Sequence, residues 1–262
     1  MAAHPLAEVL NHPPTGTAFS LGQGISMVIG SFIVGAVVAP DVTRYSKSPR
    51  QAVFAAVFGF FIAVPLVIVC GIFMSHGAGT WDLVDIMIKL GWGVIALLML
   101  ILAQWTTNDQ NLYCSALGFA VVLRNTAKWK LTAISGLLGI ILAVWGIYDQ
   151  FIPWLNFLSA LITPMGGVIV ADYYFFHKDF YNVSQISRFP ETRWLSFAAW
   201  IIGSLGAYIT GQNIISLTTV PAVDGFLIGL IAHVILMKVL KSVKSKDTID
   251  LADAKPAKPT TK

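Results

Sequence analysis

The stretch ILAQWTTNDQNLYCSALGFA, residues 101–120, decides how the rest of the chain is read. Its ends are apolar. Its middle carries Gln104, Thr106, Thr107, Asn108, Asp109, Gln110 and Asn111. Polar groups are costly in hydrocarbon, so on a membrane-crossing helix these side chains must face protein, water or a ligand. Helical spacing sorts them. Ala103, Thr106 and Thr107 fall at i, i+3 and i+4, on one face. Asn108 lies about 100° round from Thr107, and Asn111 follows on the same side.

The composition around this stretch supports a membrane setting. The 262 residues are 56% hydrophobic and 11% charged, where a soluble domain carries about 25% charged residues. Seven apolar segments, roughly 18–40, 51–74, 90–120, 131–148, 151–175, 195–211 and 223–241, approach the length that crosses a bilayer. The third is long enough to tilt or to run beyond the hydrocarbon. The predicted class is an all-α polytopic membrane protein of seven spans. Residues 1–17 form an external N-terminal segment, 18–241 the membrane domain and 242–262 a polar tail expected to be disordered.

Charge orients the spans. Arg44, Lys47 and Arg50 lie between the first two, and Arg124, Lys128 and Lys130 between the third and fourth. Lys178, Arg188 and Arg193 precede the sixth, and Lys238, Lys241, Lys244 and Lys246 close the last. The alternate loops are poor in Lys and Arg. The positive-inside rule puts the basic segments in the cytoplasm, with the C-terminus inside and the N-terminus outside. Residues 1–17 show no basic stretch followed by an apolar core, so no secretory signal explains an external N-terminus; it suggests further spans upstream. The net charge of +4 comes from these short patches and not from a nucleic-acid-binding surface, so no nucleic-acid partner is expected. Cys70 and Cys114 lie in apolar segments and read as free buried thiols.

The chemistry offered by the third segment is that of a binding site. The carbonyl of Ala103 and the hydroxyls of Thr106 and Thr107 group hard oxygen donors of the kind sodium prefers, with another helix needed for the rest of the shell. The Asn108 amide presents a donor and an acceptor, the pattern that meets the edge of a nucleobase. Two other readings stay open: the hydroxyls bond to the preceding turn, or the run is a polar network tying helices together. Asp109 is read as having a structural partner. Trp105 and Tyr113 are read as packing.

Two other segments depart from simple spans. The first has glycines at 22, 24, 30 and 35, with Pro40 and Asp41 near its end. It reads either as a small-residue seam between helices or as a discontinuous helix broken near Phe32–Gly35, whose freed backbone faces a ligand. There Phe32 is placed to stack on a planar ligand or to pack. The fifth holds Pro164, Gly166 and Gly167, a kink or a gate, with Ser159 and Thr163 placed to satisfy loosened backbone groups and Asp172 expected to face a basic loop residue. The five histidines show no metal-ligand spacing, and neither GxGxxG nor a Walker loop is present. Neither an enzyme nor an ATP-driven pump is indicated; secondary transport is the class that remains.

Three of these segments resemble a known family. GSFIVGAVVAPDVTRYSKSPRQAVF (30–54), AQWTTNDQNLYCSALGFA (103–120) and FLSALITPMGGVIVADYYF (157–175) are similar, in order, to the sixth, eighth and tenth helices of cytosine-transporting members of the nucleobase–cation symporter-1, or purine-cytosine permease, family. The likeness extends from about residue 18 to residue 241. It implies a five-plus-five inverted-repeat fold, as in the leucine-transporter-like sodium symporters, with two further helices. The seven spans are then the sixth to twelfth, the second repeat plus those two. The first five helices are expected to be missing from this chain, with a separately encoded N-terminal half as one way to supply them.

Residue by residue, the resemblance implies sodium ligation by the Ala103 carbonyl and the Thr106 and Thr107 hydroxyls, completed from a first helix. It implies base binding by Asn108 and an aromatic contact from Phe32. Val34 stands where cytosine-transporting members have a serine, which removes a side-chain hydrogen bond to the base. The third-helix tryptophan and glutamine that hold the base have no counterpart here. The expected activity is import of cytosine or a related nucleobase across the inner membrane, coupled to sodium or another cation, with no cofactor and no covalent chemistry. The alternatives are a permease for another small heterocycle (hydantoin, allantoin, uracil or a thiamine precursor) and a non-transporting structural membrane fragment.

Overall fold

The computed structural model describes residues 19–80, 82–123, 125–178 and 192–240. The expected external segment 1–17 and the polar tail 242–262 lie outside them, as do Arg124, Arg188 and the last three lysines of the final basic cluster. Among the described residues every regular element is helical. They are α1 (Leu21–Thr43), α2 (Pro49–Phe58), α3 (Val64–Ala78), α4 (Leu83–Lys89), α5 (Gly93–Val122), α6 (Lys128–Val144), α7 (Phe151–Asp172), α8 (Trp194–Gly211) and α9 (Pro221–Leu240). All seven expected segments are helical, and α4 is an addition inside a stretch read as loop.

Local chemistry sets the helix ends. Ser20 and Gln23 form a reciprocal cap at the start of α1: each side chain accepts the other's backbone N–H at 3.2 Å. Ser48 accepts from the Gln51 N–H, with Pro49 next to it where a missing N–H costs nothing. Pro65 lacks the N–H that would continue the ladder, and the preceding turn, Gly59–Ala63, widens into a π-turn that joins α2 to α3. Gly79 ends α3 at φ 65°, a left-handed conformation. Asp82 caps α4 by accepting the Val84 N–H at 2.8 Å.

Five helices are long and apolar enough to cross a membrane: Leu21–Thr43, Pro49–Ala78, Phe151–His177, Trp194–Gly211 and Pro221–Val239. The other two expected spans are not among them. In α5, 30 residues long, the polar run interrupts the apolar sequence, and α6 has 17 residues. The expected break at Phe32–Gly35 is not present. Helix α1 is continuous from Leu21 to Thr43, with Pro40 in its last turns. Glycine permits a break but does not force one, and two of the α1 glycines are occupied in close packing, which supports the small-residue seam.

The chain divides into two units. The first contains Phe19–Ala36 and the chain from Gln150 onward. In it α7, α8 and α9 pack through small residues. A Cβ on Gly203 would stand 2.7 Å from Pro164 Cβ and 2.8 Å from Gly229 Cα, and one on Gly225 2.7 Å from Ala207 Cβ. The Gly225–Gly229 pair is the four-residue small spacing by which membrane helices approach closely. The first half of α1 lies on this bundle: Gly22 abuts the Thr219 carbonyl, Gly30 the Leu155 carbonyl, and Ser26 Oγ accepts the Ala222 N–H at 3.1 Å, capping α9. Ala171, Ala199, Ala207, Ala222 and Met237 are buried there.

The second unit contains Val37–Asp149. Helices α5 and α6 pack together, with Gly136 facing Leu112. Its buried apolar residues are Ile86, Ala96, Ala116 and Leu131. The segment from Pro49 to Ala78 buries none and is apolar all round, as a helix facing lipid or a larger apolar partner is.

Candidate functional site

Helix α5 brings the three expected oxygen donors together. Thr106 Oγ1 donates to the Ala103 carbonyl at 2.9 Å and Thr107 Oγ1 to the same carbonyl at 3.0 Å; Thr106 Oγ1 also approaches the Leu102 carbonyl at 3.4 Å. The hydroxyls thus bond to the preceding turn, the reading that threonine in a helix always offers. A hydroxyl that donates this way keeps its lone pairs, so bonding to the turn orients both oxygens and leaves them able to accept or to ligate.

Asn108 lies on a cleft of about 510 Å³ between α5 and α6, which Asn111, Ser115, Ser135, Gly136 and Gly139 also line. The volume is in the range of small-molecule sites. Ser115 Oγ donates to the Asn111 carbonyl at 2.8 Å and Ser135 Oγ to Leu131 at 2.9 Å, so both serines are spoken for as donors. The Asn108 and Asn111 amides have no hydrogen-bond partner among the described residues. Asp109 is exposed and makes no ion pair there. Gln110 Nε2 donates to Cys114 Sγ at 3.3 Å.

The other expected site residues belong to the other unit. Phe32 is half-buried on α1, and Val34 is 42% exposed with an apolar side chain that offers no hydrogen bond. That unit carries its own cleft of about 390 Å³, lined by Gln23, Asn156, Phe157, Tyr208 and Gln212 among others. In α7, Ser159 Oγ donates to the Asn156 carbonyl at 2.9 Å, one turn before the carbonyl that Pro164 leaves without its N–H. Thr163 Oγ1 is buried without a partner, and the indole of Trp200 supplies the bond in this region instead, donating to the Leu161 carbonyl at 2.6 Å.

Two buried carboxylates organise the same unit. Asp172 faces the basic residue it was expected to meet: Arg193 grips it with two bonds, Nη1 to Oδ2 at 2.7 Å and Nη2 to Oδ1 at 2.6 Å. His177 Nδ1 lies 2.9 Å and His233 Nε2 3.2 Å from Oδ1. Both are among the five histidines that show no metal-ligand spacing. His177 reaches Asp172 because α7 ends in a π-turn, Tyr173–His177, which sets residues five apart on one side. His233 arrives from α9. No spacing rule links position 172 to 233; a buried histidine on an apolar helix was the one available signal. Asp224, fully buried, accepts from Thr210 Oγ1 at 3.0 Å, the Leu217 N–H at 2.8 Å, and both the N–H and the hydroxyl of Thr218. It ties the loop after α8 to the start of α9. The bonds satisfy both carboxylates within the unit, so their place is architectural.

Residues 3–234 match the model of a family described as permease for cytosine/purines, uracil, thiamine, allantoin. The chain is 33% identical over 217 residues to the cytosine permease of Escherichia coli K12, covering 82% of this chain and 49% of that protein. It is 22% identical over 251 residues to the allantoin permease of Bacillus subtilis, covering 87% and 51%. It is 21% identical over 269 residues to the hydantoin permease of Microbacterium maritypicum, covering 89% and 52%. The chain thus spans about half the length of the curated relatives it matches. No solved structure matches it. A family match over most of the chain and several membrane-length helices make this a multi-pass membrane protein, and the chain belongs to the family of permeases for cytosine/purines, uracil, thiamine and allantoin.

Proposed function

We propose that the chain contributes the cation-binding and base-binding helices of a secondary active transporter that imports cytosine or a related nucleobase with sodium. The observation that carries this reading is the polar face of α5: three oxygens within one turn, Ala103, Thr106 and Thr107, followed by an unpartnered amide, Asn108, on a ligand-sized cleft. In an apolar chain such a face is stable only against water, protein or ligand. Sodium on the oxygens and a base on the Asn108 amide account for these groups.

The fold that goes with this function is the second five-helix repeat of an inverted-repeat transporter plus two helices, with α5 and α6 completing seven spans. The basic ends of the helices support an inner-membrane orientation with the N-terminus outside and the C-terminus in the cytoplasm. Sodium and base favour the same conformation, so each raises the other's affinity by the same factor. Three oxygens leave a sodium shell open, so the remaining ligands come from helices beyond α1–α9, in a separately encoded N-terminal half or elsewhere. On this reading α1–α9 alone do not accumulate base.

The test is sodium-dependent binding of radiolabelled cytosine to the transporter in proteoliposomes, native and Asn108→Ala. Loss of the amide is expected to weaken binding by about 1–3 kcal/mol, since a buried polar group of the base is left unpaired. Unchanged affinity, or binding indifferent to sodium, would remove the proposal and favour a structural membrane bundle. A second reading, transport of another small heterocycle, is favoured by Val34 and by the similarity to proteins named allantoin and hydantoin permeases. Competition by unlabelled cytosine, uracil, allantoin and hydantoin separates the two.

A further inference from the structure

The loop between the first two membrane-length helices is only a few residues long, from the end of α1 at Thr43 to the start of α2 at Pro49. Whatever the leaflet, its side chains stand at the level of the lipid headgroups. It presents Arg44 and Lys47, with Arg50 in the first turn of α2. The start of α6 adds Lys128 and Lys130 in the same unit. All five cations are exposed, and none makes an ion pair among the described residues. This differs from Arg193, which is held by Asp172.

The patch is held in place by aromatic groups. Arg44 Nη2 donates to both the Tyr45 hydroxyl, at 2.8 Å, and the Tyr113 hydroxyl of α5, at 2.7 Å. One nitrogen of the guanidinium is used in fixing its position, and the others remain as donors in a planar fork that matches a phosphate. Its carbon stands 4.8 Å from the Tyr45 ring centre, and Lys130 Nζ lies 5.6 Å from the Trp129 ring. Tyr45 and Trp129 are 75% and 70% exposed, amphipathic rings of the kind that settle at the membrane interface.

We infer that this surface binds the phosphate of an anionic phospholipid, with Arg44 and Lys128 as the principal contacts and Tyr45 and Trp129 beside the glycerol region. Charge complementarity selects the lipid. Exposed cations on and beside a loop this short meet phospholipid by position, and an anionic headgroup neutralises them where a zwitterionic one does not. The inference is independent of what the protein transports.

The experiment uses the full chain purified in detergent and titrated, by native mass spectrometry, with phosphatidylglycerol and separately with phosphatidylcholine. Native protein is expected to retain phosphatidylglycerol preferentially. Arg44→Gln and Lys128→Gln are each expected to weaken it about fivefold, in line with the contribution of one cation near an anionic surface. Phosphatidylcholine binding should not move, and Lys89→Gln, outside the patch, should behave as native. Equal retention of the two lipids would overturn the assignment, as would an Arg44→Gln/Lys128→Gln protein that holds phosphatidylglycerol as native does. Displacement of the lipid by millimolar inorganic phosphate would also overturn it, because the surface would then read a free anion. The helix content of each variant, by the infrared amide I band or far-ultraviolet circular dichroism, must match native, and Lys47→Gln serves as a milder variant if one of the others fails to fold.

Discussion

The two units treat their polar residues in opposite ways. In the unit built from the first half of α1 with α7, α8 and α9, each buried carboxylate is enclosed by donors: Asp172 by Arg193, His177 and His233, and Asp224 by Thr210, Leu217 and Thr218. In the unit from Val37 to Asp149, Asp109 is exposed with no ion pair, and Asn108 and Asn111 have open amides. Individual glycines show a similar contrast. Gly203, Gly225 and Gly229 meet neighbours at contact distance or closer, while a Cβ on Gly118 of α5 would meet nothing within 4 Å. A carboxylate satisfied within its own bundle is there to hold it; an exposed amide left open is available for a partner.

The largest test of that division is Asp172→Ala. It leaves Arg193 without its bidentate partner and is expected to cost about 3–5 kcal/mol, the effect of breaking a buried pair from one side. Unfolding of the chain in mixed micelles with increasing dodecyl sulfate measures it, and a loss within error of zero would mean that the node does not hold the helices. Asp224→Asn comes next. It removes the charge from a site with donors on both oxygens, and by the same assay about 1.5–3 kcal/mol should disappear.

Glycine substitutions sharpen the contrast further. Gly203→Ala forces a methyl against Pro164 and Gly229 and should destabilise by about 1–3 kcal/mol. Gly118→Ala meets open space in a helix and should stabilise by up to about 1 kcal/mol. Like effects at the two positions would erase the distinction between a packed seam and an open face. The smallest effect is assigned to Asp109→Asn, which should leave the unfolding midpoint where it was. A clear destabilisation would show that Asp109 already has a partner within the chain.

Much of the candidate site was legible because it is local. Thr106 and Thr107 reach Ala103 through helix geometry alone, so a three-residue spacing is enough to group those oxygens. The position of Asn108 on a cleft was not legible, since that depends on α6 packing beside α5 with Gly136 and Gly139, which have no side chains to fill the space, lining it. The expected break in α1 failed for a related reason. Four glycines in one helix are equally consistent with flexibility and with close approach, and only the neighbours of Gly22 and Gly30, the carbonyls of Thr219 and Leu155, decide between them.

The amino-acid sequence by itself determined an apolar helical chain, the approximate bounds of seven helices, the basic loops and the polar run on α5. These follow from hydropathy, charge and a period of 3.6 residues, all of which are set by residues close in the chain. Tertiary structure alone decided that Asp172 and His233, 61 positions apart, would meet, that Ser26 would cap α9, and that α1 would run unbroken. Such contacts depend on which helix faces pack, and packing is selected by the fit of side chains far apart in sequence.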